Sequence, residues 1–505
     1  PPRSTLFPYT TLFRSPGATV VVLGTNPTLG TSTDINGNYR IENAPLGRYS
    51  IQIAFVGYEQ VVIPEILVTS SKEVVLNIGL KQSINHIQEV VVKAHTRKDK
   101  PMNPMATISA KSFTVEETRR YAGGLDDPAR MVSAFAGVTV GNIQDNAIII
   151  RGNSPKGVSW RLEGVEIPNP NHFAGGNVAG GGVVTVFSSQ LLANSDFFTG
   201  AFPADYGNAL AGVFDMKLRS GNNEKRESTF QAGIMGIDFA SEGPFVKGGK
   251  SSYLFNYRYS TLDLISKMGL IPSEQIPRYQ DLSFKLNFPT SKAGTFSIWG
   301  VGAIDNNTEP EDKDSVNWET DWDRTSYDWN ISMGAAGITH KILLGSKTYL
   351  NTSLAASGTV NTMYGERYDD MLILRPNWDF TDKSGRVGVN AFLNHKFSPK
   401  HTIRTGVNYS KILYNIDLSS TINDKPETFQ NFVKQKGSSN YAEFYIQSKY
   451  SVTQNLTANT GVNFNYFALN GNYSIDPRFS LKWDFTQNQS ISFGYGKHKI
   501  GRAHV

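Results

Sequence analysis

The sequence predicts a mainly β protein: a small β-sandwich, then a mixed α+β domain, then a partial antiparallel transmembrane β-barrel. Three observations predict it. Aromatic residues make up 11% of the 505 positions and glycine fills 46 of them, with Asn, Ser and Thr abundant; that mix suits strands joined by many turns. From about residue 223 onward, strict period-two alternation recurs. The connections between the alternating runs are short and long by turns, as in outer-membrane barrels.

Composition sets further bounds. The chain is too long for one ordinary domain. Mean hydropathy is −0.31, and no run approaches the ~18–20 apolar residues of a spanning helix. There are no cysteines, which excludes disulfides, thiolate chemistry and Cys-based zinc sites. The pI is 9.0 and the net charge +5, yet Lys+Arg is 49 against Asp+Glu 44. No basic stripe or tail appears, so nucleic acid is not an expected partner. No metal or cofactor is expected.

Residues 16–80 read as the sandwich. In TDINGNYRIENAPLGRYSIQIAFVGYEQ, Tyr39 and Ile41 alternate with polar neighbours, as do Tyr49, Ile51 and Ile53. Asn36-Gly37 supplies the positive φ angles of a tight hairpin. Asp34 and Asn36 read as turn chemistry, because the rest of an EF-hand ligand pattern is missing. Residues 81–105 form a linker, where charge rises and Pro101 and Pro104 appear. Embedded in it is QEVVVKA (Gln88–Ala94), whose three valines favour an extended backbone. Two readings stay open for it: the last strand of the sandwich, or a free segment that pairs with a partner's sheet edge.

Residues 106–222 mix their signals. TVEETRRYAGGLDDPARMVSAFAGV suggests two short helices, with Thr114 and Glu117 as a capping box. NAIIIRGNSPKGVSWRLEGVEIPNP suggests two strands around a turn at Ser154-Pro155, and glycine-dense NHFAGGNVAGGGVVTV follows. Residues 223–499 then alternate. Tyr253, Phe255, Tyr257 and Tyr259 share one face; Leu254, Asn256, Arg258 and Ser260 share the other. Leu282, Phe284, Leu286 and Phe288 repeat the pattern, as do runs from Leu456 to Tyr466 and from Pro477 to Phe485. These runs approach the ~9–11 residues of a tilted membrane-crossing strand. Roughly twelve can be counted, and a closed barrel leaves no open edge. Short connections such as LLGSKTYL and FSPKHTI alternate with long polar ones at 303–330 and 412–440.

With those residues in hand, two resemblances follow. TDINGNYRI…PLGRYSIQIAFVGYE resembles the carboxypeptidase-regulatory, transthyretin-like domain. Residues 16–499 together resemble a TonB-dependent outer-membrane receptor of the Bacteroidetes type. Glu89, Val90, Val91, Val92, Lys93 and Ala94 look like the TonB-box stretch that precedes the plug domain. DPARMVSAFAGVTV is similar to a plug segment, with Ala136 where proline is common. IIIRGNSP resembles the plug motif carried by Arg151 and Gly152, LEGVEIPNPNHF sits at another plug motif, and GAFPADYGNALAGVFDMKLRSG resembles the plug's closing segment.

The resemblance implies an active transporter in the outer membrane of a Gram-negative bacterium. Its partners are TonB with its inner-membrane energising complex, outer-membrane lipid and a nutrient of unknown identity. The regulatory-like domain and plug lie on the periplasmic side or in the lumen. A plug in the lumen needs close backbone packing, which the glycines at 175–182 permit. Two readings stay open for Asn169, Asn171, His172 and Phe173: an exposed apical plug loop that contacts substrate, or an Asn-Pro turn with no ligand role. The acidic stretch 305–329, with Trp318, Trp322 and Trp329, is expected to be a solvated extracellular loop.

Rival classes fit less well. His86 and Glu89 match the H-x-x-E spacing of zinc carboxypeptidases, but a third ligand and a catalytic acid are missing. Asp205, Tyr206 and Asp215 are accounted for by the plug resemblance, and no G-x-S-x-G elbow or P-loop appears. The chain is therefore not expected to be an enzyme. A passive porin or adhesin shares the barrel but not the plug. A SusC-like glycan importer working with a surface lipoprotein is the alternative within the family.

The two ends read differently. PPRSTLFPYTTLFRS (Pro1–Ser15) and IGRAHV (Ile500–Val505) reverse-translate to strings resembling sequencing adaptors. They are expected to be non-native. Without Arg3, Arg14 and Arg502 the formal charge of +5 becomes +2. The resemblance implies a longer parent, with the first regulatory-domain strand and the remainder of a barrel of about 22 strands outside this chain.

Overall fold

A computed structural model describes residues 6–7, 16–80 and 101–498, apart from 36, 59, 71–72, 77, 79, 114, 122, 125, 142–144, 176–178, 234–235, 270–277, 321, 424 and 487–488. The box-like stretch Glu89–Ala94, the pair His86 and Glu89, and Thr114 of the expected capping box lie outside the described residues.

The N-terminal domain holds β1 (Leu6–Phe7), β2 (Thr19–Leu23), β3 (Leu29–Ser32), β4 (Gly47–Ala54), β5 (Val61–Val68) and β6 (Val74–Val75). Four of these form an antiparallel sheet in the order β3-β2-β4-β5, and β1 pairs in parallel with β6. Alternation places Val20, Val22, Ile51 and Ile53 on one face, where they pack with Tyr39, Ile41 and Ile78. The turn before Tyr39 forms as expected. Gly37 has φ +78, and Asp34 accepts the Asn38 N–H at 2.8 Å. Tyr39 and Ile41 enter the core without joining the sheet as a strand.

The central domain holds β7 (Ala110–Phe113), α1 (Val115–Arg120), α2 (Pro128–Met131), β8 (Val138–Val140), β9 (Ile148–Ile150), β10 (Val158–Leu162), β11 (Val165–Ile167), β12 (Ser195–Phe198) and β13 (Gly212–Met216). Its main sheet runs β11-β10-β13-β12-β7, with β10 and β13 parallel. Every residue of β10, β12 and β13 is buried, so these strands show no alternation. Trp160 stacks on Phe214 at 4.6 Å, and Phe197 leans on Phe214 at 4.7 Å. Asp127 caps α2 by accepting the Ala129 N–H at 2.7 Å.

Among the described residues that follow, thirteen strands form one antiparallel sheet in sequence order. They are β14 (Glu227–Gly233), β15 (Gly236–Pro244), β16 (Ser252–Tyr259), β17 (Arg278–Pro289), β18 (Thr295–Glu309), β19 (Thr325–Leu343), β20 (Thr348–Tyr368), β21 (Leu374–Ser398), β22 (His401–Ile422), β23 (Lys425–Ser451), β24 (Leu456–Phe467), β25 (Asn472–Asp484) and β26 (Ser490–Gly496). A helix, α3 (Thr261–Lys267), lies between β16 and β17.

The sheet is inside-out, as a membrane wall should be. In β17, Asp281, Ser283, Lys285 and Asn287 are buried toward the central domain, and Leu282 is exposed. In β23, Glu443 is 2% exposed and its neighbour Phe444 52%. Replacing Phe444 by Arg should cost ~2–4 kcal/mol of assembly near mid-bilayer. The check is the fraction of heat-modifiable, membrane-inserted protein, which should be unchanged if Phe444 does not face lipid.

Two expectations need correction. Residues 412–440 are not a long loop: β22 and β23 run through them on either side of a turn at Asn423. Likewise 303–330 is largely strand, with only 310–324 as loop. Beyond the bilayer neither face meets lipid, so alternation fades while ladder pairing still satisfies the backbone. Within that loop the acids close turns. Asp323 accepts the Thr320 and Glu319 N–H groups at 2.6 and 2.8 Å, and these bonds hold its carboxyl below the usual range. Trp318 stacks on Tyr368, and Trp322 meets Trp378 edge-on.

The connections give the sheet its sides. Those at 290–294, 344–347, 399–400 and 452–455 are short and share one end, the periplasmic end by the barrel rule. The N-terminal domain sits at that end. Glu73 accepts from Asn222 Nδ2 at 2.9 Å and pairs with Lys225 at 3.2 Å, and its N–H donates to Glu227 at the start of β14.

Candidate functional site: the seam between plug and wall

The central domain lies against the concave face of the sheet, and the seam between them has two unlike sides. On one side it is apolar. Leu254, Trp299, Val301, Ala303, Met333 and Ala335 from β16, β18 and β19 share one core with Trp160, Phe214 and Met216 of the central domain.

At the long-loop end of that side sits His172. The sequence predicts an exposed loop there, but His172 is 0% exposed, and Asn171 and Phe173 are buried; Asn169 is half-buried. The reason is the polar phase of the wall strands. His172 Nε2 bonds Asp281 at 3.0 Å, Nδ1 bonds Asp305, and the Phe173 N–H donates to Asp305 at 2.8 Å. Arg258 binds Asp281 at 2.7 Å and donates to the Thr185 carbonyl at 2.6 Å. Asn169 and Asn171 instead tie the loop together, through Gly181 O at 2.7 Å and Asn146 Nδ2 at 3.0 Å.

Both imidazole nitrogens face carboxylates, which accept only, so both must donate. Burial disfavours the cation, but Asp305 and Asp281 outweigh it and raise the His172 pKa above 6.5. A raised folded value means the stabilisation is complete below the unfolded pKa and is lost as pH rises through the folded one. His172→Ala should cost ~3–5 kcal/mol, because Asp305 loses its only cationic partner in this cluster while Asp281 keeps Arg258. The wild-type melting temperature should fall as pH rises above about 6.5; a slope equal to that of His172→Gln would sink the assignment.

On the other side the seam is polar. Four wall strands wrap the segment Phe202–Gly207 with side chains that are all buried. From β22, Arg404 binds Asp205 at 2.7 Å and Asn103 at 3.0 Å. From β23, Gln447 and Glu443 accept the Ala204 and Gly207 N–H groups, each at 2.9 Å. Asn463 of β24 donates to Ala204 O at 2.7 Å. Arg478 of β25 donates to the carbonyls of Pro203 and Tyr206 at 2.8 and 2.7 Å. A Cβ at Gly207 would run into the Glu443 carboxylate, so only glycine lets the backbone lie this close. Gly207→Leu should expel 202–207 from the wall, read as new protease cleavage there; resistance equal to wild type would refute the close packing.

Asn103 gathers this side. Its Nδ2 reaches Asp205 at 3.1 Å and the Tyr206 hydroxyl at 3.0 Å. Tyr206 in turn donates to Asp215 at 2.7 Å. The Met102 and Asn103 N–H groups both donate to Asp196 at 2.7 Å. Asp205, Tyr206 and Asp215 are thus tied into the seam by these hydrogen bonds.

The remaining motif, Arg151-Gly152, is an exposed turn with φ of +50 and +78, and the Arg151 N–H donates to Gly137 O at 2.8 Å. Of the glycines after it, Gly180, Gly181 and Gly182 are closely packed, whereas Gly175 stands in open space. A Cβ at Gly180, Gly181 or Gly182 would overlap Lys156, Asp145 or Asn171. The wall residues Arg258, Asp281, Asp305, Arg404, Glu443 and Arg478 were not singled out from sequence as site residues. Their signal was charge in the polar phase of a barrel strand.

Comparison with known proteins agrees with this geometry. Residues 14–92 match the family model of the CarboxypepD_reg-like domain, and 272–498 match that of the TonB dependent receptor-like β-barrel. The first match runs through Val92 and so takes in part of the box-like stretch. The TonB-dependent transporter Oar of Myxococcus xanthus is 24% identical over 227 residues, which is 43% of this chain and 20% of that protein. The outer membrane transporter YddB of Escherichia coli has the same fold, with TM-score 0.54 at 14% identity, covering 78% of this chain and 61% of that one. A ferric enterobactin receptor, PfeA, of Pseudomonas aeruginosa gives 0.55 at 13% identity, covering 78% and 62%. The chain thus spans about a fifth of Oar and three-fifths of those solved structures. Residues 272–498 thus belong to the TonB dependent receptor-like β-barrels, with a CarboxypepD_reg-like domain at the N-terminal side.

Proposed function

We propose that the protein takes up a specific nutrient across the outer membrane, energised by TonB pairing with Glu89–Ala94 and by remodelling of the plug. The observation that carries this reading is the polar side of the seam. Each hydrogen bond between Phe202–Gly207 and the wall can be exchanged for one to water, at a net loss of ~0.5–1.5 kcal/mol for a neutral pair and ~1.5–3 kcal/mol where Glu443 or Arg478 takes part. An apolar contact would instead forfeit ~25 cal/mol for every Å² exposed. The plug is therefore held firmly against β16–β19 and reversibly against β22–β25. Pulling opens the second side first. A passive porin has no use for a lumen filled in this way.

Force reaches that side along a short path. The box-like stretch leads into Met102 and Asn103, and Asn103 holds Asp205, Tyr206 and Arg404 together. The absence of native cysteine makes a direct test clean. A single Val91→Cys variant should cross-link to cysteine-bearing TonB C-terminal domain, and Ser71→Cys should not. Equal cross-linking at both positions, or none at Val91, would overturn the pairing.

A further inference from the structure

The N-terminal domain meets the barrel where the plug ends and the wall begins, at the junction between β13 and β14. Among the described residues its apolar core, around Val20, Ile51 and Ile53, shares no member with the core of plug and wall. The bonds that cross the contact are polar. Glu73 accepts from Asn222 Nδ2 with one carboxylate oxygen and faces Lys225 Nζ with the other. Lys225 also reaches Glu227 at 3.4 Å, and Arg40 pairs with Glu224.

From Asn222 the contact continues as a chain of bonds into the plug. Asn222 Oδ1 accepts the Glu224 and Lys225 N–H groups at 2.8 and 3.2 Å, which closes the junction turn. The Asn222 N–H donates to Glu242 of β15 at 2.9 Å. Glu242 accepts from both terminal nitrogens of Arg219, at 2.5 and 2.6 Å, a charge-assisted fork. Arg219 Nε donates to the Gln190 carbonyl at 2.6 Å, and its N–H to that of Leu191 at 2.8 Å. Leu191 belongs to the plug core. Glu73, Asn222, Glu242 and Gln190 are all buried. One carboxylate of the N-terminal domain therefore ends a continuous path into the plug.

We propose that the regulatory-like domain is a releasable clamp on the plug. Docked, it fixes Asn222 and, through Glu242 and Arg219, the plug edge at Gln190 and Leu191. Undocked, the chain of bonds loses its outer member and that edge loosens. The contact suits release. Taking Glu73 and Lys225 out of water offsets much of what their pairing gains, and undocking returns both to water together. A shared apolar core would resist separation in proportion to its area. The clamp deepens the transport reading and rests on it for the source of force. The chain runs from this domain through Glu89–Ala94 to Met102, so a pull on that stretch bears on the docked domain as well as on Asn103.

The test uses the purified protein in detergent, without TonB or substrate. With no native cysteine, nitroxide labels go on Ser32→Cys in the domain and Ser291→Cys in the turn after β17, both exposed positions. Double electron–electron resonance should give one narrow distance distribution. Glu73→Ala on the domain side and Lys225→Glu on the wall side should each broaden it. Each should also raise amide exchange at least tenfold at Arg219, Glu224 and Lys225. Exchange at Ile51 and Ile53 of the domain, and at Val213 and Phe214 of the plug, should stay at the wild-type rate. Lys225→Glu leaves the domain's own sequence intact, so its result stands even where Glu73→Ala perturbs that fold. The clamp is wrong if the distribution stays narrow in Lys225→Glu, or if it broadens there while exchange at Arg219 does not move. Failure of the transport reading shows elsewhere, as uptake that persists without Glu89–Ala94.

Discussion

Deleting Glu89–Ala94 is expected to abolish energised uptake while the protein still assembles in the outer membrane. Assembly rests on the ladders from β14 to β26 and on the plug core around Trp160 and Phe214, all C-terminal to the deletion. Uptake rests on force. A pull on the box-like stretch is borne first by the Met102 and Asn103 N–H groups on Asp196, then by the Asn103 side chain on Asp205 and Tyr206. Without the stretch, the polar side of the seam has nothing to open it. Uptake is read by mass spectrometry as depletion of medium components, and assembly as heat-modifiable mobility. Unchanged depletion in the deletion strain would falsify the box assignment.

Arg404→Ala is expected to loosen the plug on the polar side without harming the wall. Arg404 is buried and holds Asp205 and Asn103 together. Its loss leaves the Asp205 carboxylate buried without its ion-pair partner, at a cost of ~3–5 kcal/mol. The wall ladder is main-chain pairing and does not depend on it. Amide exchange should therefore rise by orders of magnitude at Ala204 and Gly207, and little at β10 or β13. Arg404→Lys should recover only part of the protection, because an ammonium lacks the guanidinium's planar spread of donors. Exchange at Ala204 and Gly207 that stays at the wild-type rate would show that Arg404 does not hold the plug.

The apolar side of the same seam explains why loosening stays local. Leu254, Trp299 and Val301 share a core with the plug, so release at β22–β25 swings the Phe202–Gly207 segment while β10 and β13 remain seated.

Much of this was legible in the chain itself. Period-two alternation marked Tyr253–Tyr259 and Leu282–Phe288 as wall strands, because one face of each meets lipid and the other a polar lumen. Turn chemistry marked Gly37, and Asp127 capped a helix in the region where short helices were read. The loops were harder. Residues 412–440 look like loop because their alternation fades above the bilayer, although the ladder continues. NPNHF looks exposed because Asn, Pro and His are surface residues on average; Asp281 and Asp305, far along the chain, bury it.

By itself the sequence determined that the C-terminal part is built of alternating strands, which face of Tyr253–Tyr259 and Leu282–Phe288 is apolar, and that a regulatory-like domain precedes the barrel. Those are local properties, set by side-chain chemistry within a few residues. Tertiary structure alone decided the partners across the seam. Arg404 and Asp205 stand 199 positions apart, and Arg478 and Tyr206 272. A charge in the polar phase of a strand announces that a partner is needed, but only the curvature of the sheet around the plug selects it. The contrast between a firm and a releasable side follows from that selection.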